Sequence, residues 1–278
     1  MIRELAAEFP QTNKVQLCRI LGISRSQVYR KEPAGKDALL SAIEKIVVTF
    51  LGYGYRRVQR ELKAQGCTVG ERKVRRLLRE NGLNVKGPKC KGITKRDPQA
   101  DRHENLLRQY SPTQVDEIWA TDMTLLKTQT GACYLAVMED LFSRKVVAWH
   151  LSRSPDLNLA IACLEKALTT RKPAAGWIHH SDQGSVYTAP AYVAKVRAAG
   201  GRVSMSRVGK PTDNAYVESF FRTLKKEEVQ GNRYDSFLEV EASIHDYIEG
   251  TYNGKRMHSG IGFLSPDQFE ARTREVGQ

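Results

Sequence analysis

Three carboxylates lie in sequence contexts that suggest shared chemistry. Asp122 falls in the strand-like segment IWATDMTLL, Asp182 at the strand end IHHSDQGSVY, and Glu218 in the helix start TDNAYVESFFRTLKK. Acids drawn from separate elements can hold two divalent metal ions, and a two-metal site cleaves phosphodiester bonds by stabilising both the attacking and the leaving oxygen. These three residues are therefore the candidate catalytic and metal-binding acids.

Each acid alone has an ordinary structural explanation, such as a turn or a helix cap. Asp122 is the most demanding, because Trp119, Met123 and Leu125 make its strand apolar. A buried carboxylate without a partner costs several kcal/mol, so something cationic is expected beside it. Carboxylate oxygens are the ligands that Mg²⁺ or Mn²⁺ prefers, which favours a metal as that cation.

Two basic residues follow Glu218 on the same predicted helix. Arg222 is four residues on and Lys225 is seven residues on. At 3.6 residues per turn, both project near the face of the acid. The functional interpretation is that they contact DNA, with Lys225 holding a phosphate beside the metals; the alternative is a solvent-exposed ion pair of small energy.

Two further neighbours are candidates for supporting the metal ligands. Strand alternation points His180 to the same side as Asp182 and His179 to the opposite side, into packing. Asn214 precedes Glu218 by four residues and would either orient the carboxylate or help to cap the helix, and the sequence favours capping. No histidine is required as a direct ligand.

The positive charge is concentrated in the N-terminal part of the chain. The net charge is +13, yet residues 1–112 hold 24 Lys and Arg against 11 Asp and Glu, whereas residues 113–278 hold 20 of each. A basic arm joined to a neutral body indicates that one part grips a polyanion while the other acts on it. Nucleic acid is the natural polyanion.

The C-terminal part has the pattern of an α/β domain. Apolar runs predict strands over 118–127, 133–139, 145–152, 177–180 and 202–206, and helical spacing predicts helices over 156–170, 189–199 and from Thr212 or Asp213 to about Val229. The order β-β-β-α-β-α-β-α predicts a mixed sheet flanked by helices, which is the order of a ribonuclease H-like fold.

The N-terminal part reads as all-α helix-turn-helix modules. Residues 14–31 form helix, tight turn and helix, and Arg25, Gln27 and Arg30 have the side-chain types that meet phosphates and base edges. A second module has helices over 37–50, 56–66 and 71–81. Its predicted DNA-contact residues are Arg56, Arg57, Arg72, Lys73, Arg75, Arg76 and Arg79. The alternative for both modules is a solvated basic surface.

Composition shifts suggest the domain boundaries. We predict a helix-turn-helix segment at 1–33, a helical DNA-binding module at 34–85, a basic linker at 86–112, the catalytic core at 113–232 and a C-terminal helical appendage at 233–278. The five cysteines are scattered without zinc-ligand spacing, and no apolar run is long enough to span a bilayer. We therefore expect no membrane association and a cytoplasmic, nucleoid-associated location.

These motifs carry a family resemblance. The segments WATDMT, HHSDQGSVY and DNAYVESFFRTLKKE resemble the catalytic core of the retroviral-integrase type transposases, specifically the insertion sequence 3 family. The 35 residues between Asp182 and Glu218 match that family's interval, and Lys225 falls at its basic position. GYGYRRVQRELKAQG, VRRLLRENGL and the tail YIEGTYNGKRMHSGIGFLSPDQF are similar to its upstream module and C-terminal signature, so the likeness spans most of residues 37–270.

The resemblance implies an activity and partners. It implies two Mg²⁺ or Mn²⁺ ions on Asp122, Asp182 and Glu218, and a transposase that binds the ends of an insertion element. In that reaction, water or a DNA 3′-hydroxyl attacks a phosphodiester, first nicking the ends and then joining strands. The partners would be double-stranded terminal-repeat and target DNA, a homo-oligomer on that DNA, and the product of an upstream reading frame.

Two rival interpretations remain open from the sequence. A structure-specific nuclease or resolvase on the same fold would cut without joining. An inactive DNA-binding regulator would need no acids, so the intact set of three argues against it. A zinc site is not predicted, because the N-terminus lacks the His-His-Cys-Cys arrangement of retroviral integrases.

Overall fold

The computed structural model describes residues 36–83, 103–129, 131–207 and 211–276. Contacts along the chain divide it into two compact units, Met1–Ile46 and Val47–Gln278. The predicted helical pair at 14–31, with its candidates Arg25, Gln27 and Arg30, lies outside the described residues, as does most of the predicted linker. In the part of the chain that is described, no helix is long and apolar enough to cross a membrane.

In the described residues before position 84, three helices precede the core. Helix α1 covers Lys36–Thr49, α2 covers Tyr55–Ala64 and α3 covers Glu71–Glu80, which confirms the three helical predictions for this region. Helix α2 buries Val58 and Leu62, and α3 buries its own apolar stripe at 74, 77 and 78. The apolar stripes pack inward because their residues recur every three to four positions.

The core contains a five-stranded mixed sheet. Its strands are β1 (Ile118–Thr128), β2 (Gly131–Asp140), β3 (Val146–Ser152), β4 (Ile178–Ser181) and β5 (Arg202–Met205). Their order across the sheet is β3-β2-β1-β4-β5; the β1–β2 and β2–β3 pairs are antiparallel, and the β1–β4 and β4–β5 pairs are parallel. The mixed ribonuclease H-like sheet predicted from the element order is therefore confirmed.

Helices cover both faces of this sheet. They are α4 (Leu157–Arg171), a short α5 (Ser185–Thr188) that the sequence did not predict, α6 (Pro190–Ala198) and α7 (Ala215–Leu224). Alternation along β1 separates the faces: Trp119 and Met123 join the cluster under α4 and α6, whereas Ala120 joins the cluster under α7. Asp122 has the parity of Ala120, so it belongs to the α7 side.

Helix α7 is the middle part of a longer helical segment. A 3₁₀ turn at Pro211–Asn214 leads into it, and a π turn at Lys225–Val229 follows it, so the predicted extent to about Val229 is confirmed. The prediction that Thr212 or Asp213 caps this helix is wrong, because Asn214 holds the N-cap position of α7. The Asp213 carboxylate instead accepts hydrogen bonds from the Arg207 backbone N–H at 3.0 Å and side-chain Nε at 2.8 Å.

The C-terminal tail contains more helix than the sequence indicated. The sequence pattern predicts one helix over 236–253 and an irregular segment over 255–269. The structure confirms the first as helix α8 (Phe237–His245) and a π turn at Asp246–Asn253, but α9 (Pro266–Val276) begins within the second. A proline is tolerated in the first turn of a helix, where its missing N–H has no partner to lose. The Arg171 guanidinium ties α9 to α4 by donating to Glu270 at 2.9 and 2.8 Å.

The turn after α7 forms a buried ion pair with the C-terminal region and contacts the segment before α2. The Glu227 carboxylate, in the π turn, accepts hydrogen bonds from Arg256 Nε at 2.8 Å and Nη2 at 2.9 Å, and from the Tyr247 hydroxyl at 2.7 Å. A Cβ on Gly52 would lie 2.1 Å from Glu227 Cγ, so no side chain fits there. The Lys226 ammonium also donates to the Gly52 carbonyl at 3.2 Å. The segment before α2 therefore packs directly against the turn that carries Lys225.

Candidate active site

The parallel pairing of β1 with β4 places two of the predicted acids side by side. In this register Ala120 is opposite His180, so Asp122 and Asp182 occupy matching positions two residues further on. Asp182 directly follows the end of β4, and its Oδ1 accepts a hydrogen bond from the Gly184 N–H at 2.9 Å. The Asp122 Oδ1 accepts one from the Met123 N–H at 2.7 Å. Both carboxylates are thus oriented by backbone donors.

Helix α7 brings Glu218 to the same place. Burial, together with the like charges of Asp182 and Glu218, raises the pKa of Asp122 to about 8, against the opposing effects of the Met123 N–H and Lys225. Burial also raises the pKa of Glu218, with Arg222 lowering it and Asp182 raising it. These mutual effects arise only between groups in electrostatic range. The structure therefore places the three predicted acids within electrostatic range of one another.

The donor set suits a divalent metal by its chemistry. Three carboxylates that repel one another, one of them held largely protonated at neutral pH, would be stabilised by a cation between them. Within the described ranges, however, no group of three or more His, Cys, Asp or Glu side chains is already arranged to hold an ion. The acids are neighbours in the fold, but their carboxylates are not preassembled around a metal position.

The two basic residues after Glu218 have different environments. Arg222 is exposed on the last turn of α7 and lowers the pKa of Glu218, against the larger effect of burial. Lys225 is partly exposed, begins the π turn, and acts on Asp122. Single π turns often occur at functional sites, and this one changes the direction of the side chains that follow α7.

His180 is engaged with the neighbouring strand rather than with the acids. Its Nδ1 lies 2.8 Å from the Ser204 hydroxyl and its Nε2 lies 3.1 Å from the Ser206 hydroxyl. Burial lowers its pKa to about 4, so it is neutral at physiological pH. His179 points to the other face and bonds the Tyr192 hydroxyl at 2.9 Å. Neither ring nitrogen of His180 is left over for a metal, and its supporting role stays a prediction.

Asn214 connects helix α7 to the catalytic strand. Its side chain makes no capping hydrogen bond, contrary to the interpretation that the sequence favoured. The Nδ2 group instead donates to the carbonyl of Thr121 at 3.3 Å, and both residues are buried. Because Thr121 immediately precedes Asp122, this bond fixes the start of the Glu218 helix against the strand that carries Asp122.

The predicted DNA-contact residues upstream are mostly exposed. Arg56 on α2 and the five basic residues of α3, which are Arg72, Lys73, Arg75, Arg76 and Arg79, all face solvent opposite the buried stripe of α3. Arg57 differs, because it is partly buried and its guanidinium lies 5.7 Å from the centre of the Tyr53 ring. Arg57 therefore packs against the Tyr53 ring, whereas the basic side chains of α3 form an exposed surface.

Sequence reasoning missed a fourth acid on the same face of the sheet. Glu139 lies opposite Ala120 on β2, two positions from Val137, which is opposite Asp122. It is fully buried, and its Oε2 has no hydrogen-bond partner. In the sequence it stands beside Asp140 at the end of a strand, so nothing distinguished it from a residue entering a turn.

We expect Glu139→Gln to flatten the pH dependence of stability. Burial raises the pKa of Glu139 to about 8 from an ordinary value of 4.5, and Arg144 only partly opposes this. Between those values the folded protein holds a proton that the unfolded chain has lost, so stability falls as the pH rises. Urea unfolding at pH 5, 7 and 9 should show the variant about 1–3 kcal/mol more stable at pH 9 and little changed at pH 5.

The exposed Glu241→Gln is the matched control, and it should leave the pH profile of the parent unchanged. Equal pH slopes for Glu139→Gln and the parent would mean that Glu139 ionises normally in the folded protein.

Comparison with known proteins shows which families this chain resembles. Family models match an HTH-like domain over residues 35–90, an integrase core domain over 112–211 and a second integrase core domain over 199–266. The transposase for insertion sequence element IS904 of Lactococcus lactis subsp. lactis (strain IL1403) is 36% identical over 86% of this chain and 96% of the relative. Transposase InsF for insertion sequence IS3A of Escherichia coli (strain K12) is 36% identical over 91% of this chain and 92% of the relative. The chain belongs to the transposases of the insertion sequence 3 family.

The matched regions of this transposase contain the predicted site. The first integrase core match includes Asp122 and Asp182, and the second includes Glu218 and Lys225. The HTH-like match covers all three upstream helices. Among solved structures, a simian T-cell lymphotropic virus intasome in complex with a PP2A regulatory subunit aligns at 17% identity and a TM-score of 0.48, covering 76% of this chain and 70% of that chain.

Proposed function

We propose that this transposase binds the ends of its insertion element and carries out metal-dependent DNA cleavage and strand transfer at Asp122, Asp182 and Glu218. The observation that carries the proposal is the register of β1 with β4, which sets Asp122 beside Asp182 on the face that α7 approaches with Glu218. Bound Mg²⁺ or Mn²⁺ ions, two per site, would activate the attacking oxygen and stabilise the leaving one. No nucleophilic side chain is then needed.

The residues around the acids would position the DNA. Lys225 would hold a phosphate beside Asp122, and Arg222 would contact the backbone further along α7. The basic surface of α3 would grip the terminal repeats through phosphates and base edges. The partners would be element-end and target DNA, a second copy of the chain on that DNA, and the product of an upstream frame. The nucleoid is the expected location for such a substrate.

Strand transfer in vitro tests this function. Purified protein, a duplex that carries an element end with a free 3′-hydroxyl, a supercoiled target plasmid and Mg²⁺ should yield joined products in which the end is covalently attached to the plasmid. Cleavage without joining would favour a nuclease or resolvase, and neither reaction in Mg²⁺ or Mn²⁺ would favour an inactive DNA-binding regulator.

We expect Lys225→Ala to weaken engagement of DNA at the core without unfolding the protein. Loss of one phosphate contact should reduce the slope of log affinity against log salt by about 0.9 for duplex DNA. Titration of a labelled end duplex at several salt concentrations measures that slope. Lys127→Ala removes an exposed lysine from the far end of β1 and serves as the matched control. Equal salt slopes for Lys225→Ala and Lys127→Ala would mean that Lys225 contributes no more to DNA binding than an ordinary surface lysine.

A further inference from the structure

Three arginines from distant parts of the sequence come together at the short segment 256–260. The first, Arg256, belongs to this segment. The Arg256 guanidinium lies 5.7 Å from the centre of the Tyr252 ring, and that ring meets the ring of His258 edge-on at 4.8 Å. Arg256 and His258 are both buried. The side chains of Arg256 and His258 therefore point into the protein, whereas Ser259 and Gly260 are exposed.

The second arginine comes from helix α2. The Arg57 guanidinium lies over the Tyr53 ring, and the Tyr53 hydroxyl accepts a hydrogen bond from the Met257 N–H at 2.9 Å. Arg57 thus approaches the segment from the side of the HTH-like region. It forms no salt bridge with any carboxylate in the described part of the chain.

The third arginine comes from the turn between β2 and β3. The Arg144 guanidinium stacks on the ring of Tyr216, 3.9 Å from its centre, and its Nη2 lies 3.9 Å from the position of a Cβ on Gly260. Tyr216 is 39% exposed and stands two residues before Glu218, so this side of the cluster opens to solvent next to the catalytic helix. No described carboxylate pairs with Arg144 in a salt bridge either.

Positive charge in this cluster exceeds the negative charge available to balance it. Glu227 is committed to Arg256. Burial keeps the carboxyl of Glu139 largely protonated at neutral pH, with its pKa near 8. Burial, followed by the charges of Arg256, Arg57 and Arg144, lowers the pKa of His258 to about 2, so the imidazole is neutral and adds no charge of its own. No salt bridge in the described part of the chain pairs Arg57 or Arg144 with a carboxylate, although Arg57 interacts with Glu227 and Arg144 with Glu139 over longer distances.

The cluster also contains polar atoms that lack partners. Arg57 Nε, His258 Nε2 and Glu139 Oε2 are all buried without a hydrogen bond. Buried polar groups in folded proteins are nearly always satisfied, so several orphaned atoms in one place indicate a missing ligand. Given the surplus positive charge, that ligand is an anion.

We propose that Arg57, Arg144 and His258 form a phosphate site, flanked by the exposed ring of Tyr216, that takes a backbone phosphodiester of the DNA substrate. Arginine forks match the geometry of phosphate oxygens, and an exposed aromatic ring beside them offers a surface for a sugar or an unpaired base. This proposal rests on the proposed function and adds a DNA contact that joins helix α2 to the catalytic domain. A strand held there would pass the N-terminal end of α7, close to Glu218.

The first experiment uses inorganic phosphate as the probe and no DNA. The melting temperature of the parent protein should rise with added phosphate more than with sodium chloride of equal ionic strength. Arg57→Gln and Arg144→Gln should each lose that difference while melting no lower than the parent without phosphate, because each removes an unbalanced charge. The controls are Arg60→Gln, three residues further along α2 and stacked on Phe263, and Arg153→Gln, stacked on Phe237. Both controls should keep the phosphate effect.

The second experiment measures binding of a duplex of about 30 base pairs between 50 and 300 mM salt. Each of the two variants should bind more weakly for every sequence tested, with the salt slope reduced by about 0.9. The control variants Arg60→Gln and Arg153→Gln should keep the salt slope of the parent. A variant that matches its control in both the phosphate and the salt experiments overturns the phosphate site.

Failure of the proposed function can be distinguished from failure of the phosphate site. A parent protein that never joins DNA strands, but whose phosphate and salt responses depend on Arg57 and Arg144, would retain the phosphate site and lose the transposase reaction. A parent that joins strands with no change in either response on substitution would lose only the phosphate site. Variants that melt well below the parent without phosphate would show that the arginines support folding, which also overturns the site.

Discussion

Asp122→Asn should abolish both DNA cleavage and strand transfer, with a rate at least about 10³-fold below that of the parent, while leaving binding to element ends nearly unchanged. The physical reason is that the amide keeps the shape of the carboxylate but cannot supply the negative charge that a divalent ion requires. Asp182→Asn and Glu218→Gln should do the same, because each removes one charged ligand from a shared site.

The measurement is a pair of assays on the same protein samples. Gel-shift titration reports end binding, and a strand-transfer assay with a preprocessed end reports joining. Asp156→Asn is the matched control, because Asp156 is exposed and caps α4 through the Leu159 N–H at 3.1 Å, away from the acids. Strand transfer retained in any one of the three variants would remove that residue from the catalytic set.

The stability of the parent and of Asp122→Asn can also be compared without metal. Because burial and the neighbouring acids raise the pKa of Asp122 to about 8, its carboxylate destabilises the metal-free fold at pH values above its ordinary range. Asp122→Asn should therefore be no less stable than the parent at pH 8 without metal, and the parent should gain more stability from added Mn²⁺ than the variant. A variant that unfolds at pH 8 would indicate a structural role instead.

Arg171→Met should lower the free energy of unfolding by about 3–5 kcal/mol, the range for breaking a buried ion pair on one side. Arg171 donates to both oxygens of Glu270, and its Nε donates to Asp116 at 2.8 Å. Side chains of Arg171 and Glu270 are only 10% and 3% exposed, so the carboxylate left behind would stay away from water. Urea denaturation followed by circular dichroism measures the loss.

Lys195→Met provides the control for this effect. Lys195 pairs with Glu165 on the surface, where both side chains are well exposed, so its replacement should change stability by about 1 kcal/mol or less. A small loss for Arg171→Met, comparable with the control, would mean that helix α9 is only loosely held and that Glu270 finds other partners. A large loss of unfolding free energy would show that contacts of the C-terminal appendage stabilise the core domain.

Local patterns predicted the sheet because its elements have strong, short-range signatures. The apolar runs correctly predicted β1, β2 and β3, and the helical spacing correctly predicted α4. These predictions hold because the apolar residues that make the pattern are the ones that become buried. Helix α9 escaped notice since its few apolar positions give little periodicity. The capping role expected of Asn214 failed for a different reason: its Nδ2 donates to the Thr121 carbonyl on β1, remote in sequence, and the side chain held in that position makes no capping hydrogen bond through Oδ1.

The sequence by itself determined the family and the order of elements, and it predicted the three acids, since each acid interrupts or ends an element with a clear local pattern and the 35-residue interval links two of them. Only the tertiary structure decided which groups share an environment. It set Asp122 beside Asp182 through the β1–β4 register, placed Glu139 on the same face, and brought Arg57, Arg144 and His258 together across about 200 residues of chain. Electrostatic and hydrogen-bond energies depend on distance in space, and no local sequence pattern records that distance.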